Sequence, residues 1–286
     1  MATRLSPATQ SRLRYVRAAA ATDLSDFPDF LIVGPQRTGT TWLHANLREH
    51  PEVMLSEPKE IFFFSRLQTP DHPSFQSAEI EWYLAFFREP LWRRALKTAH
   101  CLRRYGRWYR PEVKGEATAS YATLPPDVID EVVLLRPDIK VILSVRDPID
   151  RAWSHAKKDL ARKHSRRIDQ VDEGELMRFF QDEYQLRCAQ YARNFENWST
   201  RLQPGHLFVA RFDDIPNRPT ELLLDVMAFL GVTRDSRFVG RQAERAVNPT
   251  TGEGIPEKYR AVLESLLGPE REKLRAAEAL KCSGVR

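Results

Sequence analysis

The densest chemistry in the chain lies in eight residues, Gly34-Pro35-Gln36-Arg37-Thr38-Gly39-Thr40-Thr41. They follow an apolar run, Phe30-Leu31-Ile32-Val33, and precede an amphipathic stretch. A glycine-rich turn between strand and helix aims backbone N–H groups and the positive end of the helix dipole at an anion. Gly34 and Gly39 permit the tight path, and the Thr40 and Thr41 hydroxyls add two donors. Arg37 supplies a guanidinium able to grip phosphate or sulfate oxygens as a fork. A nucleotide triphosphatase would write G-x-x-x-x-G-K-[ST]. Here Thr40 stands at the lysine position, so the cation lies within the loop instead of after it.

A second dense segment, "SVRDPIDRAWSHAKKD" (144–159), places Arg146 where the run Lys140–Val145 ends. That is the usual ligand edge of an open α/β sheet. Pro148 opens the next helix and puts Ser154 two turns on, so an arginine and a serine can converge on one phosphate. A magnesium-dependent kinase would use the same edge differently, with a loop lysine on the β- and γ-phosphates and a strand-end aspartate on the metal. Asp147 is available for that role, while the absent lysine counts against it.

Apolar runs at 30–33, 140–145 and 206–212 have strand character. Helical periodicity covers 41–49, 79–87, 127–135, 149–163, 174–202, 219–230 and 256–267. Start signals at Pro125-Pro126-Asp127 and Asn217-Arg218-Pro219, and a stop at Gly231, sharpen two of these helices. Strands alternating with helices predict a three-layer α/β/α domain with a central parallel sheet. The expected extent is one domain over 27–286, preceded by a flexible basic segment over 1–26 in which Asp23 is the first acid.

Composition narrows the function classes. Hydrophobic residues at 42% and charged residues at 29% fit a soluble globular chain. No apolar run approaches the roughly 20 residues that cross a bilayer. Cys101, Cys188 and Cys282 are far apart, and the histidines show no H-x-x-x-H pair, so neither a disulfide scaffold nor a metal site is expected. The net charge of +5 suits an anionic partner. Its strongest local expression is residues 91–114, with no acid between Glu89 and Glu112. That segment reads as a solvated helix face or a wall facing an anionic ligand. No nucleic-acid recognition motif accompanies it, and nucleic acid is not an expected partner.

"PQRTGTTWL" followed by "VRDPIDRAWSHAKKD" resembles the sulfotransferases that use 3′-phosphoadenosine 5′-phosphosulfate (PAPS). "KEIFFF" (59–64), "GEATASY" (115–121), "QYARNFENW" (190–198), "HLFVARFDDI" (206–215) and "FLGV" (229–232) have counterparts, in that order, in the heparan-sulfate-type and bacterial carbohydrate branch. The resemblance covers roughly residues 28 to 270. It implies a P-loop-like sulfotransferase fold, PAPS as sulfuryl donor with PAP as product, and no metal. It places Gln36, Arg37, Thr38, Gly39, Thr40 and Thr41 on the 5′-phosphosulfate, and Arg146 and Ser154 on the 3′-phosphate. Arg37 stands where the family often has lysine.

For the acceptor side the resemblance implies Glu116 as the base that removes the acceptor proton, while Arg37 with the loop amides stabilises the leaving phosphate. Ala117 and Ala119 replace the lysine and proline that follow such a glutamate in the family, and His100 is a stand-in base without matching context. Glu60 would line the acceptor pocket, Lys59 would reach the sulfate and Tyr191 would touch the acceptor. In "ERAVNPTTG", Arg245 would contact the 3′-phosphate, although Glu244 occupies the place of a glycine. The expected acceptor is a carbohydrate or small metabolite bearing a hydroxyl, and the expected compartment is the cytoplasm. A magnesium-dependent P-loop kinase and a non-catalytic polyanion-binding protein remain the alternatives.

Overall fold

Strand β1 (Phe30–Val33) lies at the centre of a five-stranded parallel sheet in the order β2-β3-β1-β4-β5. Its neighbours are β3 (Val113–Ala117) and β4 (Lys140–Val145), flanked by β2 (Val53–Leu55) and β5 (Leu207–Arg211). The computed structural model describes residues 4–240, 243 and 254–282. All four residues of β1 are buried, because a central parallel strand is covered on both faces and has no side left for polar residues.

Alternate residues feed two cores. Leu31, Val33, Val141 and Leu143 face one side, where Val128 and Val132 of the helix Pro126–Leu135 and Trp198 of the helix Tyr191–Ser199 cover them. Phe30, Ile32 and Ile142 face the other, covered by Leu43 of the helix Thr40–Leu47 and Val226 of the helix Pro219–Leu230. A third cluster fastens the helix Pro148–Ala156 to the C-terminal helix Glu257–Cys282. There Trp153 stacks on Tyr259 with ring centroids 5.5 Å apart. The three layers match the expected architecture, and β1 and β4 have the bounds their apolar runs give.

Strands β2 and β3 carry no such signal. The sequence of β3 is V-K-G-E-A, poor in β-formers, and its pairing is decided by its neighbours. A Cβ on Gly115 would lie 2.2 Å from the Phe30 ring, so only glycine lets the two strands close. The expected helix 174–202 is instead three: Glu173–Gln181, Glu183–Ala189 and Tyr191–Ser199. Asp182 ends the first and caps the second by accepting from the Tyr184 and Gln185 amides, which turns the chain.

The expectation of a flexible N-terminal segment is corrected for residues 4–26. Leu5, Val16 and Leu24 are 3%, 4% and 3% exposed and belong to the first core. The buried Glu131 carboxylate accepts from the amides of Arg14, Tyr15 and Val16 at 2.7, 2.9 and 2.9 Å, which ties the segment to the helix Pro126–Leu135. Three amides on one carboxylate provide an anchor that composition does not advertise.

Candidate active site

The loop between β1 and the helix Thr40–Leu47 forms as the spacing predicts. Arg37 has φ 78° and Gly39 φ 96°, left-handed positions that turn the chain into the helix. At Gly39 any Cβ would also meet Ile215 at 2.5 Å. The first-turn amides of a helix have no partner within it and point toward whatever lies ahead, here from a first turn that begins with Thr40 and Thr41 toward the space enclosed by the loop 34–39. Two loop residues serve the protein instead. Thr38 is 1% exposed and donates its hydroxyl to the Pro35 carbonyl at 2.8 Å. Gln36 accepts from the Tyr184 hydroxyl at 2.8 Å.

Arg37, Ser154 and Arg146 meet, although more than a hundred residues separate the first from the other two. Arg37 Nε donates to Ser154 Oγ at 2.8 Å, and Arg146 Nη1 donates to the Arg37 carbonyl at 3.1 Å. The Arg146 guanidinium lies 4.0 Å over the Phe212 ring. Asp147 accepts from the Ile149 and Asp150 amides at 2.9 and 3.1 Å and so caps the helix that carries Ser154. Past Ala156 that helix widens into a π-turn, Lys157–Ala161, and both Lys157 and Lys158 lie within range of the Arg37 charge.

Burial lowers the pKa of Arg37, and Arg146 and Arg162 lower it further. Burial likewise lowers that of Lys157, with Arg146 and Arg37 adding to it. Half-buried like charges repel one another, and a phosphate or sulfate among them relieves that repulsion. Beside them, at the ends of β4 and β5, Arg146, Asp147, Arg211, Phe212, Asp213 and Arg271 line much of a cavity of about 260 Å³.

Glu116 differs from the expected base. It is 0% exposed, and hydroxyl groups surround its carboxyl. Thr118 donates to Oε1 at 2.5 Å, Tyr83 donates to Oε2, and Tyr121 bonds it too. Burial pushes its pKa up to about 7 against the lowering effect of those hydroxyls. Thr118 accepts from the Ile61 amide at 3.1 Å, and Tyr121 from the Phe64 amide at 3.2 Å. Glu116 thus lies beneath the segment 59–64 and holds it in place.

Glu60 lies on top of that support with its side chain 26% exposed, paired with Lys59. Its amide donates to the Ala117 carbonyl, and its Oε2 accepts from the Ala119 amide, each at 2.9 Å. The Ala119 carbonyl in turn accepts from the Gly34 amide at 3.3 Å, so one residue links Glu60 to the anion loop. Lys158 lies within range of the charges of both Arg37 and Glu60. Glu60 and Phe62 have φ 67° and 61°, strained for residues with side chains, as chain near reactive groups often is.

Two other expected residues add nothing to this site. Tyr191 comes close to Arg146, but it is 1% exposed and packs in the first core, so its ring has no surface to offer an acceptor. His100 pairs with Glu49 at 3.1 Å on an outer helix. Arg245 lies outside the described residues. Sequence reasoning missed Tyr83 altogether, since nothing near it in the chain marks it as a partner of Glu116. Thr118 had a signal: it stands two residues after Glu116, on the same side of an extended chain.

The raised pKa of Glu116 gives a test. The folded state holds its proton more tightly than the unfolded chain, so its contribution to stability is full below the unfolded value. It is lost as pH rises from about 4.5 to about 7. The loss is expected to be on the order of 3 kcal/mol. Urea unfolding at pH 5 and pH 8 checks this: Glu116→Gln should remove much of the difference, and an unchanged difference would refute the shift.

Comparison with known proteins identifies relatives of this arrangement. A model of the sulfotransferase family matches residues 28–236. The bifunctional heparan sulfate N-deacetylase/N-sulfotransferase 2 of Bos taurus is 27% identical over 214 residues, 72% of this chain and 22% of that protein. The membrane-associated sulfotransferase kil1 of Dictyostelium discoideum is 28% identical over 127 residues, 44% of this chain and 22% of its own. The chain thus spans about a fifth of the length of these curated relatives. Among solved structures, a sulfotransferase from Alicyclobacillus acidocaldarius superposes with a TM-score of 0.55 at 23% identity, covering 87% of this chain and 95% of that one.

Proposed function

The chain belongs to the sulfotransferase family, and from that premise we propose that it transfers the sulfuryl group of PAPS to an acceptor hydroxyl on a carbohydrate or small metabolite. The observation that carries this reading is the meeting of Arg37, Ser154 and Arg146 at the mouth of a glycine loop and helix start. PAPS, when bound, supplies an activated sulfuryl group between a nucleotide phosphate and the acceptor. Arg37 and the loop amides hold the oxygens of the phosphosulfate and the charge that gathers there. Arg146, its guanidinium fixed over Phe212, and Ser154 hold the 3′-phosphate.

Glu60 is the group we assign to the acceptor proton. It is partly exposed, tethered through Ala119 to the anion loop, and stands within the electrostatic reach of Lys158. Glu116, without exposed surface, acts through Thr118 and Tyr121 on the backbone that carries Glu60. A hydroxyl is a poor nucleophile until a positioned base takes its proton. Lys59, paired with Glu60, would meet the transferred group in this reading.

Thermal shift separates this reading from the kinase. PAP without metal should stabilise the protein by about 2.7 kcal/mol at a hundredfold excess over Kd. Stabilisation by magnesium-ATP alone would overturn the reading. The use of Asp147 as a helix cap already favours the sulfotransferase assignment over the magnesium one.

A further inference from the structure

The helix Leu91–Tyr105 is mounted the opposite way from an ordinary surface helix. Its polar side faces the protein. Lys97 reaches Glu89 at 2.7 Å and lies 5.1 Å from the Tyr109 ring, while Arg93 pairs with Glu57 at 3.2 Å. Cys101 is the one buried residue along it. Its apolar side faces out: Leu91 is 85% exposed, Trp92 61%, Leu96 64% and Leu102 39%, and just beyond the helix Trp108 is 71% exposed. Positions 91, 95, 99 and 102 and positions 92, 96 and 99 follow helical spacing, so leucine, tryptophan and alanine form one continuous stripe. Among the described residues these five are the large hydrophobics left exposed.

Charge rims the stripe. Residues 90–111 contain seven arginines and lysines and no acid. Arg94, Arg103, Arg104, Arg107 and Arg110 are exposed. We propose that this helix docks the protein on an anionic lipid bilayer, lying in the plane of the surface. Fifteen residues span only about 22 Å, and no described helix is long and apolar enough to cross a membrane. An in-plane helix instead buries its apolar face at the acyl boundary and keeps its basic rim among the headgroups. Tryptophan suits that boundary, and arginine stems can lie along hydrocarbon while their heads reach phosphate. Nucleic acid would use the same positive charge but has no place for a row of leucines and alanines, since bases stack on aromatic planes.

Flotation with vesicles tests the proposal. The full chain should float with vesicles of phosphatidylcholine plus phosphatidylglycerol and stay behind with phosphatidylcholine alone. Rising salt should release it, because headgroup attraction falls within a Debye length. The double variant Trp92→Ser/Leu96→Ser should bind about tenfold more weakly. Both side chains are exposed, and an unchanged PAP thermal shift on the same preparations would report an intact fold. Failure of the parent protein to float, or flotation unaffected by the double variant, overturns the proposal. It is overturned equally if sedimentation finds a dimer that the variant dissociates, because the stripe then belongs to a second copy. Variants that lose binding to single-stranded DNA while vesicle binding persists would assign the face to nucleic acid instead.

Discussion

Glu60→Gln is expected to lower turnover by about 10²–10⁴-fold while PAP binds as before. The amide is nearly the same size and still accepts from the Ala119 N–H, so the link to the anion loop at 2.9 Å survives. What it loses is the ability to hold a proton. The measurement is PAP release from PAPS over a panel of sugar and phenolic acceptors, with PAP affinity determined on the same variant. Glu116→Gln is the matched control. Its carboxyl is wholly buried and bonded by Tyr83, Thr118 and Tyr121, so the amide keeps acceptor capacity for some of these hydroxyls but not all. Its effect should be a smaller loss of turnover with a change in stability. If Glu60→Gln keeps turnover and Glu116→Gln abolishes it with the fold intact, the proton goes to Glu116 and the assignment to Glu60 is wrong.

Arg146→Ala is expected to weaken PAP by about 1.5–3 kcal/mol, the cost of losing a charged hydrogen-bonding partner. Two consequences have to be kept apart. The guanidinium would hold the 3′-phosphate under the proposed reading, and it also donates to the Arg37 carbonyl at 3.1 Å. Loss of the second contact would loosen the loop for any ligand. Adenosine 5′-phosphosulfate, which lacks the 3′-phosphate, distinguishes the two. Calorimetric titration should find PAP weakened far more than adenosine 5′-phosphosulfate. Equal losses would place the role of Arg146 in the loop alone. Ser154→Ala should follow the same pattern with a smaller amplitude, since a neutral hydroxyl gives up less than a guanidinium.

The anion loop was legible because its chemistry is local. Turn glycines, helix-start threonines and an arginine within eight residues have few other uses, and each lies where the spacing puts it. The meeting of Arg37 with Ser154 was legible at one remove. Both follow central strands that pair in register, Ile32 with Ile142 and Val33 with Leu143, so their loops open at the same edge. The acceptor side was not readable in this way. Glu60 is followed by an isoleucine and three phenylalanines and Glu116 by small residues, yet nothing in either segment says which carboxyl is covered.

By itself, then, the chain determined the central strands, the α/β layering and the anion cradle, since apolar runs, period and turn residues are properties of short segments. Tertiary structure decided the rest. Burial separated the two glutamates, because it depends on Tyr83 arriving from a distant part of the chain to join Thr118 and Tyr121 around Glu116. It made V-K-G-E-A a strand, because Gly115 fits against the Phe30 ring where no side chain would. It gave the N-terminal segment an anchor in Glu131. And it turned the apolar side of the helix Leu91–Tyr105 outward, since periodicity fixes which residues share a face but only packing fixes where that face points.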